Sequence, residues 1–186
     1  MDAEIFTDRL VLRSMTPGFL AASLDPQAKG AADALIGLRV PPEWQQSTDL
    51  ARMRLEDLRH DPDFQPWSLR AMGECASGRM IGHIGFHTRP APDYLAELAP
   101  GGIEIGFEVY APWRRQGFAR EAVLGMMACA HDDGGATRFV VSIAPSNVAS
   151  RQLASSLGFV EVGCRQDEVD GIEIVSILDV CRPAGR

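Results

Sequence analysis

Cysteine, positive charge and long apolar runs are all in short supply in this chain. Four cysteines, Cys75, Cys129, Cys164 and Cys181, are scattered over 186 residues. None pairs as CxxC and none stands at zinc-finger spacing from a histidine, so the usual signals of a metal-stapled domain are missing. Reduced, mostly buried thiols in a reducing compartment are expected. Eighteen basic residues face 25 acidic ones, a net charge of −7. That argues against nucleic acid as a partner and against a polybasic membrane surface. The longest apolar stretch, Ala122 to Ala130, is about half a membrane span and includes Gly125. The opening Met1-Asp2-Ala3-Glu4 lacks the basic-then-apolar pattern of a signal peptide, and a cytoplasmic location is expected. The phosphate loop GxxxxGK followed by Ser or Thr is absent, and so is the dinucleotide turn GxGxxG. What remains is a chain that is 46% hydrophobic, enough for a core without staples, at a length that fits one domain over 1–186.

No repeat or low-complexity tract interrupts it. Residues 5–13 read as a first strand, and Thr16-Pro17-Gly18 closes it and can start a helix. From Phe19 to about Leu38 the alanine- and leucine-rich sequence predicts one helix, interrupted near Pro26 and Gly30. Pro41-Pro42 forces a turn. Ser47-Thr48-Asp49 opens a helix over 47–60, with Leu50, Met53 or Arg54, and Leu58 on one side. Trp67–Met72 and Met80–His87 read as strands about a hairpin turn. The connection 88–101, with Pro90, Pro92 and Pro100, is long, and such loops are often functional. Ile103–Tyr110 is a strand, 117–131 a helix with a wide apolar stripe, and 138–144 a buried strand. Pro145-Ser146-Asn147 caps a helix whose Ala149, Leu153 and Leu157 recur every four, and Gly158 ends it. Strands over 160–169 and 172–180 flank Asp170-Gly171, a hairpin signal. This order predicts a mixed α/β sheet covered by helices.

The chemistry concentrates in Ile103-Glu104-Ile105-Gly106-Phe107-Glu108-Val109-Tyr110, then Ala111-Pro112-Trp113, then Arg114-Arg115-Gln116-Gly117-Phe118-Ala119. A strand feeds a short turn whose last residues open a helix. The first helical N–H groups have no internal partners and stand at the positive end of the helix dipole, so the turn can hold phosphate oxygens. Gly117 lets the backbone approach a ligand, Ala119 keeps the next contact small, and Arg114 and Arg115 add positive charge. On local physics alone, an ordinary strand-to-helix turn with two exposed arginines fits equally well.

Arg114-x-x-Gly117-x-Ala119 resembles the R/Q-x-x-G-x-G/A pyrophosphate signature of the GNAT superfamily of N-acetyltransferases. The wider run from Gly102 to Val123 is similar to the subgroup that includes the ribosomal-protein N-terminal acetyltransferases (RimJ/RimL-like). Asn147-x-x-Ser150 followed by Leu157-Gly158-Phe159 resembles that family's second motif, and Thr7 to Arg13 its opening strand. The resemblance implies the GNAT acyl-CoA N-acyltransferase fold: α/β, with a central, mostly antiparallel sheet splayed between two parallel strands, here 103–110 and 138–144, and flanked by helices. It implies acetyl-CoA in that opening. The backbone at Arg115, Gln116, Gly117, Phe118 and Ala119 would hold the pyrophosphate. Val109 and Ala111 would offer backbone groups to the pantetheine arm, and Asn147 would bond that arm unless it merely caps its helix.

The family's reaction is direct attack of an amine on the thioester, which needs a base. Glu104 is the first candidate, on a strand where the subgroup often has a glutamate. Glu108, four residues on, shares its face unless a bulge intervenes. A backbone N–H near Val109 or Tyr110 would hold the oxyanion. Many relatives carry a tyrosine seven residues after the motif asparagine, where this chain has Ala154. Ser150, or else Tyr110, would then protonate the leaving sulfur. The implied partners are acetyl-CoA and an amine acceptor, either a small molecule or a peptide N-terminus. Pairing through the C-terminal strands or front helices would make a homodimer. No metal is expected: His83 and His87 are four apart on a strand and read as groove lining or packing. His131 reads as favouring a helix dipole and Cys129 as core. Trp44 reads as packing or a lid. Asp93 and Glu97 are placed to attract a cationic amine. Another acyl-CoA, or a CoA-binding module without catalysis, is the competing reading.

Overall fold

The computed structural model describes residues 4–28, 30–167 and 171–181. It begins with a hairpin where one strand was expected. β1 (Ile5–Phe6) and β2 (Leu10–Ser14) pair antiparallel, with Ile5 opposite Leu12. Thr7 makes the reversal: its N–H reaches the Leu10 carbonyl at 2.9 Å, and its hydroxyl accepts the Leu10 N–H at 3.0 Å.

Thr16 caps α1 (Pro17–Leu24) by accepting the Phe19 N–H, and Pro17 sits where no amide hydrogen is needed. The alanine-rich stretch breaks as expected, with α2 (Ala31–Ile36) following after Gly30. The double proline opens a short helix, α3 (Pro42–Gln45), which buries Trp44. The inner face of α4 (Thr48–His60) is Ala51, Arg54, Leu55 and Leu58, so of the two expected alternatives Arg54 turns inward and Met53 points outward at 48% exposure. A pattern with apolar residues on both sides of Arg54 leaves this open, because only packing chooses between them. Phe19, Leu20, Trp44, Leu55 and Leu58 join one core on this face of the sheet.

The remaining elements are β3 (Arg70–Glu74), β4 (Arg79–Phe86), β5 (Ile103–Val109), α5 (Phe118–Asp132), β6 (Arg138–Ile143), α6 (Val148–Leu157), β7 (Val160–Asp167) and β8 (Gly171–Asp179). β3 starts later than expected because the Trp67 N–H closes a turn on the Phe64 carbonyl. Asp170 of the predicted hairpin turn lies outside the described residues, as do Met1, Asp2 and Ala3, but β7 and β8 pair with Asp167 opposite Gly171. α5 lays Phe118, Ala122, Val123, Met126 and Met127 on a second core with Leu12, Ile81, Ile105 and Phe139. Each large side chain buried there contributes about 1.5–3 kcal/mol.

The strand order is β1-β2-β3-β4-β5-β6-β8-β7, antiparallel except between β5 and β6. That parallel contact covers only Ile103 opposite Phe139 and Glu104 opposite Val140. Beyond it, β5 stays with β4 as far as Val109, and β6 stays with β8 as far as Ile143. The sheet therefore parts in its middle.

The thiols depart from expectation. Cys75, Cys164 and Cys181 are exposed, at a turn, on the outward side of β7 and after β8, and none is in a disulfide. Cys129 is half-buried, with its sulfur 3.7 Å from Asp133 Oδ2.

Candidate active site

The turn between β5 and α5 is built to present amides. Arg115 has φ +61° and Gly117 φ +85°. Two left-handed residues so close together curl the backbone so that consecutive N–H groups converge. No side chain caps α5. Among the described residues, the N–H groups of Arg115, Gln116, Gly117, Phe118, Ala119 and Arg120 have no intramolecular partner, the first backbone bond of the helix being Glu121 N–H to Gly117 carbonyl. Arg115, Gln116 and Gly117 are solvent-exposed. A row of free donors at a helix N-terminus is suited to a diphosphate.

A strut the sequence did not reveal holds this turn. Glu121 accepts from the Thr7 hydroxyl at 2.6 Å, the Arg9 N–H at 2.7 Å and Arg9 Nε at 2.7 Å. Arg9 Nη1 in turn donates to the Gln116 carbonyl at 3.0 Å, and its guanidinium lies 4.3 Å from the Phe118 ring centre. Burial raises the Glu121 pKa, but the bonds from Thr7 and Arg9 bring it below the usual carboxylate value. The only trace in sequence is an acidic residue in the first turn of a helix. Its partners lie more than a hundred residues away.

Of the two expected cations, Arg114 is tied back onto β5: Nε donates to the Val109 carbonyl at 2.7 Å and Nη2 to Glu108 at 3.3 Å. Arg115 is exposed, without a partner among the described residues. Gln116 turns its amide back to the Pro112 carbonyl. On β5 the even-numbered residues bond to β4, as the Tyr110 N–H to Ile81 carbonyl and His87 N–H to Glu104 carbonyl bonds show. By alternation, the backbone groups of Ile105, Phe107 and Val109 face the gap. The Val109 carbonyl is taken by Arg114, and the Ala111 carbonyl by the Arg114 N–H. What both residues have left to offer is an N–H.

Across the gap, Asn147 Oδ1 accepts the Ser150 N–H at 3.2 Å, capping α6. Its side-chain NH₂ remains available. Ser150 is half-buried on the inner side of α6 with Leu153, Ala154 and Leu157, while the expected Ala149 is exposed.

A chain with these features matches the family model described as acetyltransferase (GNAT) domain over residues 9–160. This protein belongs to the GNAT acetyltransferase family. Solved structures agree in fold. A candidate GNAT-family acetyltransferase from Bordetella pertussis superposes with TM-score 0.63 at 24% identity, covering 94% of this chain and 98% of that one. RimL, a ribosomal alpha-N-protein acetyltransferase in complex with coenzyme A, gives 0.64 at 17%, covering 96% and 98%. The ribosomal-protein-S5-alanine acetyltransferase from Vibrio fischeri gives 0.61 at 14%, covering 96% and 97%. No curated protein sequence matches the chain significantly.

At the point where the GNAT sheet parts sits Glu104, fully buried at 0% exposure. Its Oε2 accepts the Tyr94 hydroxyl at 2.8 Å and lies 3.4 Å from His87 Nδ1, and its Oε1 is 3.6 Å from Arg165 Nη2. Burial raises its pKa, but the hydrogen bonding and charge of His87, then the nearby Ser142 hydroxyl and the bond from Tyr94, outweigh this and bring it to about 2. Glu104, the expected base, is thus ionised and enclosed where the sheet parts. Glu108 does share its face, since no bulge interrupts β5 against β4, but it is paired with Arg114. The connection 88–101 is no free loop. Leu95 and Ala99 pack on Val140 and Val175, and this delivers Tyr94 to Glu104 while Asp93 and Glu97 stay exposed. Arg165 reaches from β7 to Glu173 at 2.9 Å and lies 4.8 Å from the Tyr94 ring centre. Tyr94, Arg165 and Ser142 were not legible as site residues, because the fold alone joins them.

Tyr110 is buried at 3% on the α1–α4 side, its hydroxyl unpartnered and its pKa raised by burial and by the charges of Glu108 and Glu43. Beside it, 6.2 Å between ring centres, His83 is buried against Trp44, and burial lowers its pKa to about 4. Trp44 stacks on Phe19 and donates to Ser23, so it is packing. Among the described residues no group of three or more His, Cys, Asp or Glu is gathered to hold a metal ion, and no helix is long and apolar enough to cross a membrane.

Proposed function

We propose that this protein binds acetyl-CoA in the gap between β5 and β6 and transfers the acetyl group directly to a primary amine, on a small molecule or a peptide N-terminus. The observation that carries this is the row of unpartnered amides from Arg115 to Ala119 beside a sheet that opens immediately after Glu104 and Val140. The amides and Arg115 hold the diphosphate. The N–H of Val109, that of Ala111 and the Asn147 side-chain NH₂ meet the pantetheine arm, which runs beside β5 as an added strand would. The Val109 N–H is also placed for the oxyanion. Ser150 and Tyr110 are the hydroxyls available to the leaving sulfur, which needs little help because thiols ionise near pH 8.5.

Buried Ala154, where relatives carry tyrosine, favours one alternative: a CoA-binding module that does not turn over. Two measurements separate them. At a CoA concentration about 100 times Kd, stabilisation of about 2.7 kcal/mol raises Tm by roughly 5–10 °C under either reading. Release of CoA thiol from acetyl-CoA in the presence of a panel of amino acids, seryl and alanyl peptides and diamines is expected only of the enzyme. Ser150→Ala and Tyr110→Phe in that assay assign the proton donor. Absence of CoA protection defeats both readings.

A further inference from the structure

Acetyl transfer needs a proton acceptor that meets the amine, and Glu104 is enclosed. His87 is the group that joins it to the outside. Its side chain is 43% exposed, while Glu104 beneath it is 0% exposed. Its ring lies over β5 next to Glu104: a Cβ built on Gly106 would fall 2.4 Å from His87 Nε2. Gly106 sits two residues beyond the last β5 residue that pairs with β6. Only a residue without a side chain lets the imidazole rest there. Nδ1 faces the carboxylate at 3.4 Å, leaving Nε2 over Gly106. The backbone is fixed too, because Arg54, 6% exposed on α4, donates to the His87 carbonyl at 2.9 Å. On its outer side, His87 lines a groove of about 350 Å³ with Asp57, His60, Phe64 and Arg89. The charged groups around the ring are therefore Glu104 from β5 with Arg165 behind it, Asp57 and His60 from α4, Asp61 at its end, and Arg89 paired with Asp61.

We propose that His87 is the general base of the reaction and Glu104 its positioning residue, with the acceptor amine entering along the α4 groove. This rests on the acetyl-transfer reading above. The ionised carboxylate holds the neutral imidazole in the tautomer with the proton on Nδ1, so the lone pair on Nε2 faces the amine. The ammonium gives one proton to Nε2, and the freed lone pair forms the C–N bond at the acetyl carbonyl. The C–S bond then breaks with its electron pair on sulfur. The second proton lost by nitrogen ends on sulfur, giving amide and CoA thiol, and the first passes from imidazolium to water.

The test uses the full chain with acetyl-CoA and the amine from the panel that the wild type turns over best. His87→Gln is expected to lower kcat by about 100-fold or more, with CoA protection in thermal unfolding unchanged. His87→Ala is expected to regain turnover on addition of imidazole. Glu104→Gln should displace the kcat/KM–pH profile while leaving CoA protection unchanged, because the base loses its anionic neighbour. A His87→Gln enzyme within about threefold of wild type, or a Glu104→Gln loss with the kcat/KM–pH profile undisplaced, overturns the assignment. A wild type protected by CoA that acetylates no amine defeats the acetyl-transfer reading and this inference with it.

Discussion

Acidification should weaken this protein well above the range where carboxylates titrate, and the cause is a single side chain. His83 is enclosed between Trp44 and Tyr110, its Nδ1 has no hydrogen-bond partner, and burial lowers its pKa from 6.5 to about 4. The unfolded chain therefore takes up a proton near pH 6.5 that the folded chain refuses until about pH 4. Stability is full above the unfolded value and is lost as pH falls through this window. At pH 5.5 the unfolded imidazole is favoured about tenfold, which is about 1 kcal/mol. Below pH 4 the loss reaches about 3 kcal/mol. Glu104, displaced from 4.5 to about 2, acts in a lower window and contributes little at pH 5.5. The assay is reversible urea unfolding at pH 8 and pH 5.5 for wild type and His83→Phe. Phenylalanine is close in shape and leaves no buried nitrogen, so at pH 8 it should cost under about 1.5 kcal/mol. Between the two pH values the wild type should lose about 1 kcal/mol more than the variant. Equal losses in both proteins, or an NMR titration of His83 near its ordinary value, would refute the reasoning.

Three further outcomes follow from the packing and bonding. A Cβ on Gly82 would lie 2.1 Å from the backbone oxygen of Glu108, which cannot swing aside, so Gly82→Ala should cost about 3 kcal/mol or more in chemical denaturation. Gly78, left-handed at φ +66° with nothing nearby, should lose only about 1 kcal/mol on the same change. Glu121→Gln keeps the shape of the strut but removes its charge, so stability at pH 7 should fall by about 1.5 kcal/mol and CoA protection should shrink. A variant with unchanged CoA protection would show that the Arg9 strut does not set the amide row.

The strands, the caps and the phosphate-type turn are local events, which is why sequence alone revealed them. Thr16 and Asn147 announce helices, Gly158 ends one, and Gly117 marks the turn through its own backbone freedom. The cluster around Glu104 is different in kind. Glu104, His87, Tyr94 and Arg165 come from four separate segments, and no spacing rule connects them. Glu104 was legible as a carboxylate beside the turn, but its enclosure was not, because enclosure depends on where the 88–101 connection lies down. The outward thiols were misread for a related reason. A pattern of residue types says which side chains prefer burial, and the neighbours decide which of them obtain it.

A sheet that parts in its middle has four borders instead of two. Unpaired borders usually recruit foreign strands and seed aggregation. Here the inner pair face each other, starting from contact at Glu104 and Val140. Strands lie about 4.8 Å apart, so an intruding polypeptide needs twice that separation before it can pair with both sides. Near the fork, where the two borders are still in contact, no strand can pair with both of them. The converging borders thus guard each other against edge-to-edge association.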